Sequence, residues 1–183
     1  DLAWADHVFL SAMIVQRGAA DRVIGRCRAA GVRIVAGGPL FSTEHEQFVD
    51  TVDHLVIGEG ETVMAQLAAD LEQGCARKIY RAEEFPSLAE SPAPKWSLVN
   101  VHRYAALSLQ YSRGCPFNCD FCNVTTLFGH KVRTKTVPQV LEELNGLHEL
   151  GWGGQVFFVD DNLIGNKQRI KRDLLPSLID WRK

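Results

Sequence analysis

Residues 1–75 repeat one pattern: a short apolar run, a glycine-containing turn, then a helix-periodic segment. His7-Val8-Phe9-Leu10-Ser11 reads as a buried strand. Residues 19–30 then place Val23, Ile24, Cys27 and Ala30 on one face at helical spacing, with Gly31 as a stop. Residues 32–36 read as a second strand ending in Gly37-Gly38-Pro39, followed by a short helix over 43–49. His54-Leu55-Val56-Ile57 reads as a third strand ending in Gly58-Glu59-Gly60-Glu61. Residues 62–73 are then helical, with Val63, Leu67, Ala68 and Leu71 inward and Gly74 closing the helix. Units of this length predict an α/β fold with a parallel, doubly wound sheet. Such sheets bind ligands beyond the C-terminal ends of their strands, here Ser11-Ala12-Met13, Gly37-Gly38-Pro39 and Gly58-Glu59-Gly60-Glu61. Glu59 and Glu61 read first as helix-capping residues. Three strands are few for such a sheet, so part of it is expected upstream of Asp1.

Residues 76–105 change character. Pro86, Pro92 and Pro94, among Ser87, Ser91 and Ala93, read as an extended linker. The α/β pattern restarts in residues 106–183. Leu107-Ser108-Leu109-Gln110-Tyr111-Ser112 alternates as a strand and runs straight into Arg113-Gly114-Cys115. Thr136-Val137-Pro138-Gln139 has the form of a capping box with proline in the first turn. Val140, Leu141, Leu144, Leu147 and Leu150 form the apolar face of the helix that follows, ended by Gly151. Gln155-Val156-Phe157-Phe158-Val159 is the next strand, ending in Asp160-Asp161-Asn162, and a last helix covers 168–181.

Five cysteines in a chain without a secretion pattern argue against a disulfide scaffold. Three of them, Cys115, Cys119 and Cys122, stand at C-x3-C-x2-C spacing directly after a strand. One loop can wrap such thiols around a single metal centre, and thiolates are soft ligands suited to iron–sulfur clusters or zinc. A structural zinc site normally takes four protein ligands. A zinc knuckle would need His130 or Cys75 as its fourth, whereas three thiolates on a [4Fe–4S] cluster leave one iron open. Cys27, on an apolar helix face, reads as a buried small hydrophobe, and nothing marks Cys75 as reactive. The histidines outside the loop lack partners at ligand spacing. Twenty Lys plus Arg against 22 Asp plus Glu give a net charge of −2, so bulk charge predicts no nucleic-acid partner. No stretch approaches the ~18 apolar residues of a membrane span.

The loop Cys115-Pro116-Phe117-Asn118-Cys119-Asp120-Phe121-Cys122, with an aromatic residue directly before its last cysteine, resembles the signature of the radical S-adenosylmethionine (radical-SAM) superfamily. The resemblance implies that Cys115, Cys119 and Cys122 ligate a [4Fe–4S] cluster. Its open iron would bind the amino and carboxylate groups of S-adenosylmethionine. Reductive cleavage would then give a 5′-deoxyadenosyl radical able to abstract hydrogen from an unactivated carbon. Phe121 carries over as the residue near the adenine. Asp160, Asp161 and Asn162 occupy the place of the family's Gly-Gly-Glu-like segment, which holds the cofactor's amino group. A carboxylate there could accept from an ammonium group; a helix N-cap is the plainer role. The basic stretch His130-Lys131-Val132-Arg133-Thr134-Lys135 reads as a solvated loop or as a counter-charge to the cofactor.

The front half resembles the cobalamin-binding Rossmann-like domain that precedes many radical-SAM barrels. Ser11-Ala12-Met13 matches that family's Ser-x-Leu element, with Met for Leu, and Gly37-Gly38 matches its Gly-Gly element. A flat nucleotide tail beside the backbone tolerates no side chain at such glycines. Ser11, Gly37 and Gly38 are thereby implied as cobalamin contacts. The whole run is similar to the subgroup that includes hopanoid and bacteriochlorophyll methylases. The expectation is thus part of a Rossmann-like sheet (1–75), a linker (76–105) and the first units of a (β/α) partial TIM barrel (106–183). The implied reaction is methylation of an unactivated carbon by methylcobalamin. A radical-SAM oxidoreductase or cyclase without methyl transfer, and a zinc-binding structural module, are the alternatives. A small-molecule or lipid-like substrate, a one-electron donor such as flavodoxin or ferredoxin, and a cytoplasmic location, with loose attachment to a membrane for a lipid-like substrate, complete the expectation.

Overall fold

In the computed structural model, which describes residues 2–183, the chain divides into two compact units, one reaching Pro86 and the other spanning Ser87–Lys183.

The first unit is a four-stranded sheet, β1 (His7–Ser11), β2 (Arg33–Gly37), β3 (His54–Ile57) and β4 (Ile79–Arg81), in the order β1-β2-β3-β4. Every neighbouring pair is parallel. Because side chains alternate along a strand, the central strands β2 and β3 serve two cores. Ile34, Ala36, Leu55 and Ile57 face α1 (Arg17–Ala30), α2 (Pro39–Thr43) and α3 (His45–Phe48), meeting Ile24, Cys27, Leu40, Phe41 and Phe48. Val35, Val56 and Tyr80 point the other way, onto Leu67 of α4 (Met64–Glu72). Helices therefore cover both faces, as the doubly wound expectation required. Cys27 is buried in the first of these cores.

The strand β4 lies inside residues 76–105, the segment expected to be a linker. Tyr80 is what fixes it: its hydroxyl donates to Asp70 of α4 at 2.6 Å and accepts from the Arg77 N–H at 2.9 Å. Gln66 donates to the other Asp70 oxygen at 2.6 Å. The Tyr80 bond, and after it the Gln66 bond, hold the Asp70 carboxyl below its ordinary value. From Ser87 on, the expected linker belongs to the second unit and carries three 3-10 turns, Leu88–Glu90, Trp96–Leu98 and Val101–Arg103.

The second unit pairs β5 (Ala106–Leu109) with β8 (Gln155–Phe158) in parallel. Between them run β6 (Ser112–Arg113), α5 (Val124–Phe128), β7 (Arg133–Thr134) and α6 (Val137–Glu149). The expected capping box is present at α6: the Thr136 hydroxyl accepts from the Gln139 N–H, and Gln139 Oε1 accepts from the Thr136 N–H at 2.8 Å. The same Gln139 side chain donates to the carbonyls of Leu88, Ala89 and Ser91 at 3.0, 3.1 and 3.0 Å. One amide thus caps a helix and pins the proline-rich stretch to it. Val140 and Leu144 of α6 pack on Leu109 and Tyr111, together with Ile170 and Leu174. The last helix, expected as a single run, is α7 (Lys167–Arg169), a π-helical turn (Ile170–Leu174) and α8 (Leu175–Trp181). Pro176 supplies no N–H to the carbonyl four residues back, which accounts for the shifted hydrogen bonding.

Candidate functional site

The cysteine loop is an excursion from a two-stranded stem. β6 and β7 pair antiparallel, Ser112 opposite Thr134 and Arg113 opposite Arg133. Gly114 begins the loop with φ +90°, and a Cβ there would stand 2.4 Å from the Lys131 carbonyl oxygen and 3.1 Å from that of Gly129. Only glycine meets both demands. Directly after it, the Cys115 N–H donates to the Gly129 carbonyl at 3.1 Å, closing the loop on itself. Within the loop the Cys122 N–H donates to the Cys119 carbonyl at 3.0 Å.

Cys115 and Cys122 are half-buried and Cys119 is exposed. The loop carries the three thiols without gathering them: among the described residues, no three His, Cys, Asp or Glu side chains are grouped tightly enough to hold a metal ion. The donor set itself is that of a soft metal centre, three thiols on one loop with its stem fixed at both ends. Phe121 stands 94% exposed at the loop surface, and Phe117, four residues earlier, is exposed too.

Asp160, Asp161 and Asn162 follow β8, as expected. Asp160 turns its carboxylate back to the stem, accepting from the Tyr111 N–H at 3.1 Å, the Ser112 hydroxyl at 2.6 Å and the Ser112 N–H. Asp161 is exposed, and desolvation, then the neighbouring Asp160 charge, holds its carboxyl above the ordinary value. Asn162 reaches Cys115, its side-chain amide 3.5 Å from the sulfur. In the basic stretch, Lys135 is buried and ion-paired with Glu143 of α6. Its backbone N–H donates to the Tyr111 carbonyl at 2.8 Å. Neither Glu143 nor the latching role of Asp160 carried a sequence signal. Glu142 and Glu143 are adjacent and chemically alike, yet the first is exposed and the second buried.

In the first unit, Ser11, Gly37 and Gly38 come together. Ser11 pairs with Gly37 across β1 and β2. Gly38 has φ +86°, and a Cβ on it would meet the Ser11 Oγ at 2.4 Å. A Cβ on Gly37 would lie 3.3 Å from the Val56 side chain. The Leu40 N–H crosses to the Ala12 carbonyl at 2.9 Å, locking the two strand ends side by side. At the end of β3, the Gly58 N–H donates to the Ser42 hydroxyl at 3.0 Å, and Glu59 is buried. The result is a tightly packed step at the C-terminal ends of adjacent strands, where the neighbouring Ser11 and Val56 leave room only for glycine.

No protein-family model matches the chain. Among curated proteins it is 40% identical to an uncharacterized methyltransferase of Synechocystis, over 98% of this chain and 34% of that protein. It is 35% identical to the hopanoid C-2 methylase of Rhodopseudomonas palustris, over 100% of this chain and 35% of that protein. Among solved structures, TsrM of Kitasatospora setae, a radical S-adenosylmethionine methyltransferase with cobalamin and a [4Fe–4S] cluster bound, has the same fold. The TM-score is 0.70 at 16% identity, covering 97% of this chain and 41% of that one. In sequence the chain is thus similar to methyltransferases, and in fold to TsrM. It spans about a third of the length of these curated relatives, and its α/β fold extends across both of its units.

Proposed function

We propose that the intact protein is a radical-SAM methyltransferase. Its Cys115, Cys119 and Cys122 hold a [4Fe–4S] cluster, and its first unit contributes to a cobalamin site. The observation that carries the reading is the C-x3-C-x2-C loop itself, mounted on a glycine-closed stem at the end of β5. The methylase relatives support the reaction type. When bound, these groups supply a carbon-centred radical and a transferable methyl group.

This chain's own residues hold and orient. The three thiolates carry negative charge toward the irons and leave one iron without a protein ligand. Exposed Phe121 offers a flat face for the adenine, and exposed Asp161 a carboxylate for the ammonium group of S-adenosylmethionine. The step at Ser11, Gly37 and Gly38 receives the cobalamin tail, because it lies at the C-terminal ends of adjacent parallel strands, where such sheets take their ligands. The substrate is a small or lipid-like molecule with an unactivated carbon, and a flavodoxin or ferredoxin delivers the electron.

The test uses the full-length protein, reconstituted anaerobically with iron, sulfide and cobalamin. It is supplied with S-adenosylmethionine carrying a deuterated methyl group, a reductant and cell-extract lipids and pigments. Label in a product carbon, with 5′-deoxyadenosine formed alongside, is expected. Formation of 5′-deoxyadenosine with product but no transferred methyl would replace the methylase reading by a radical oxidoreductase or cyclase.

A further inference from the structure

Asp160 and Asn162 stand two residues apart where the chain leaves β8 and turns into the next helix. Both reach the cysteine loop. Asp160 latches the backbone of Tyr111 and Ser112, four and three residues before the first thiol. Asn162 places its amide 3.5 Å from the Cys115 sulfur. A thiolate can only accept, so the group facing it is the amide NH2. The Gly165 N–H donates to the main-chain carbonyl of Asn162 at 3.0 Å, which fixes the turn that carries the side chain. A Cβ on Gly165 would stand 3.4 Å from both the Cγ and Nδ2 of Asn162, and 3.2 Å from Val132 on the returning arm of the loop.

We infer that Asn162 is a positioning residue for the cluster, donating an N–H···S hydrogen bond to the Cys115 thiolate and thereby raising the cluster's reduction potential, rather than a ligand of S-adenosylmethionine. A donor to a ligating sulfur withdraws negative charge and favours the more negative, reduced state. Replacing the donor therefore makes the cluster harder to reduce. Asn162→Asp does so most, because a carboxylate beside the thiolate accepts only and adds negative charge. Asn162→Ala removes the donor alone. Gly165→Ala keeps every polar group, shifts Val132 and the amide by a few tenths of an ångström at most, and gives the smallest shift in the same direction.

The inference rests on the proposed cluster. It is tested in the full-length protein, reconstituted anaerobically without S-adenosylmethionine, by an EPR-monitored redox titration. The expected order of midpoint potentials is wild type highest, then Gly165→Ala, Asn162→Ala and Asn162→Asp. Affinity for S-adenosylmethionine, measured by calorimetry, should stay within twofold of wild type in Asn162→Ala. An unmoved potential in Asn162→Ala, or a potential unmoved while S-adenosylmethionine affinity collapses, overturns the inference and leaves the cluster standing. Wild-type protein that takes up no [4Fe–4S] cluster overturns the proposed function along with it. Should Asn162→Ala not load, Gly165→Ala decides, a wild-type potential there counting against the role.

Discussion

The two candidate cofactor surfaces of this chain are made by opposite means. In the first unit the step at Ser11, Gly37 and Gly38 is finished in the backbone alone. Strand pairing and one crossing hydrogen bond set it, and the missing side chains are the feature that matters. In the second unit the chemistry resides in side chains on a loop, and the scaffold fixes only the loop's ends. A surface made by omission is complete once the sheet forms. A surface made of thiols is completed by the ion it binds, because binding energy gathers the ligands. Substitutions should therefore act on chemistry in the loop and on geometry at the stem and step.

The largest effect expected is in the loop. Cys119→Ala removes an exposed side chain, so folding should be unaffected while the cluster is lost; iron and sulfide content with near-ultraviolet absorbance reads this out. Next comes the scaffold under the loop. Lys135→Met leaves Glu143 buried without its ion pair and should cost about 3–5 kcal/mol in denaturant unfolding. Lys135→Met with Glu143→Leu should recover most of that loss, since a buried pair replaced by apolar groups is close to neutral.

The glycines compare the two surfaces directly. Gly114→Ala drives a Cβ into two backbone carbonyls, whereas Gly38→Ala meets a serine hydroxyl that can rotate. Both carry a positive φ, worth about 1 kcal/mol or more for a residue with a side chain. Gly114→Ala should be the more destabilising by thermal unfolding, and Ser11→Ala should relieve Gly38→Ala but have no counterpart at Gly114. Equal costs would mean that stem and step are equally rigid, and the contrast would fail.

The smallest effect is in pH dependence. The Asp70 carboxyl lies below its ordinary value in the folded chain, so the unfolded state takes up its proton first as pH falls. Its contribution is full above the ordinary carboxylate range and is lost as pH falls through the folded value. Asp70→Asn should lower stability at neutral pH and flatten the acid limb of the unfolding curve.

What could be read from the sequence divides along the same line. The cysteine spacing, the Gly-Gly strand end and the capping box are local patterns, and each stands where it was expected. The first three strands were legible as short apolar runs, those of β2 and β3 buried on both faces. β4 was not, because only Tyr80 of its three residues is buried, and pairing with β3 and the Asp70 bond make it a strand. Asp160 was legible as a carboxylate at a strand end but not as a latch on Ser112, 48 residues earlier in the chain. Long-range polar contacts leave no periodicity behind them.

The central claim is that three thiols of one loop hold a cluster with an open iron. Anaerobically purified full-length protein, reduced and followed by EPR while S-adenosylmethionine is added, tests it most directly. The account predicts a [4Fe–4S] signal that depends on all three cysteines and changes when S-adenosylmethionine binds. Stoichiometric zinc without iron or acid-labile sulfide, or a cluster signal indifferent to S-adenosylmethionine, would contradict it.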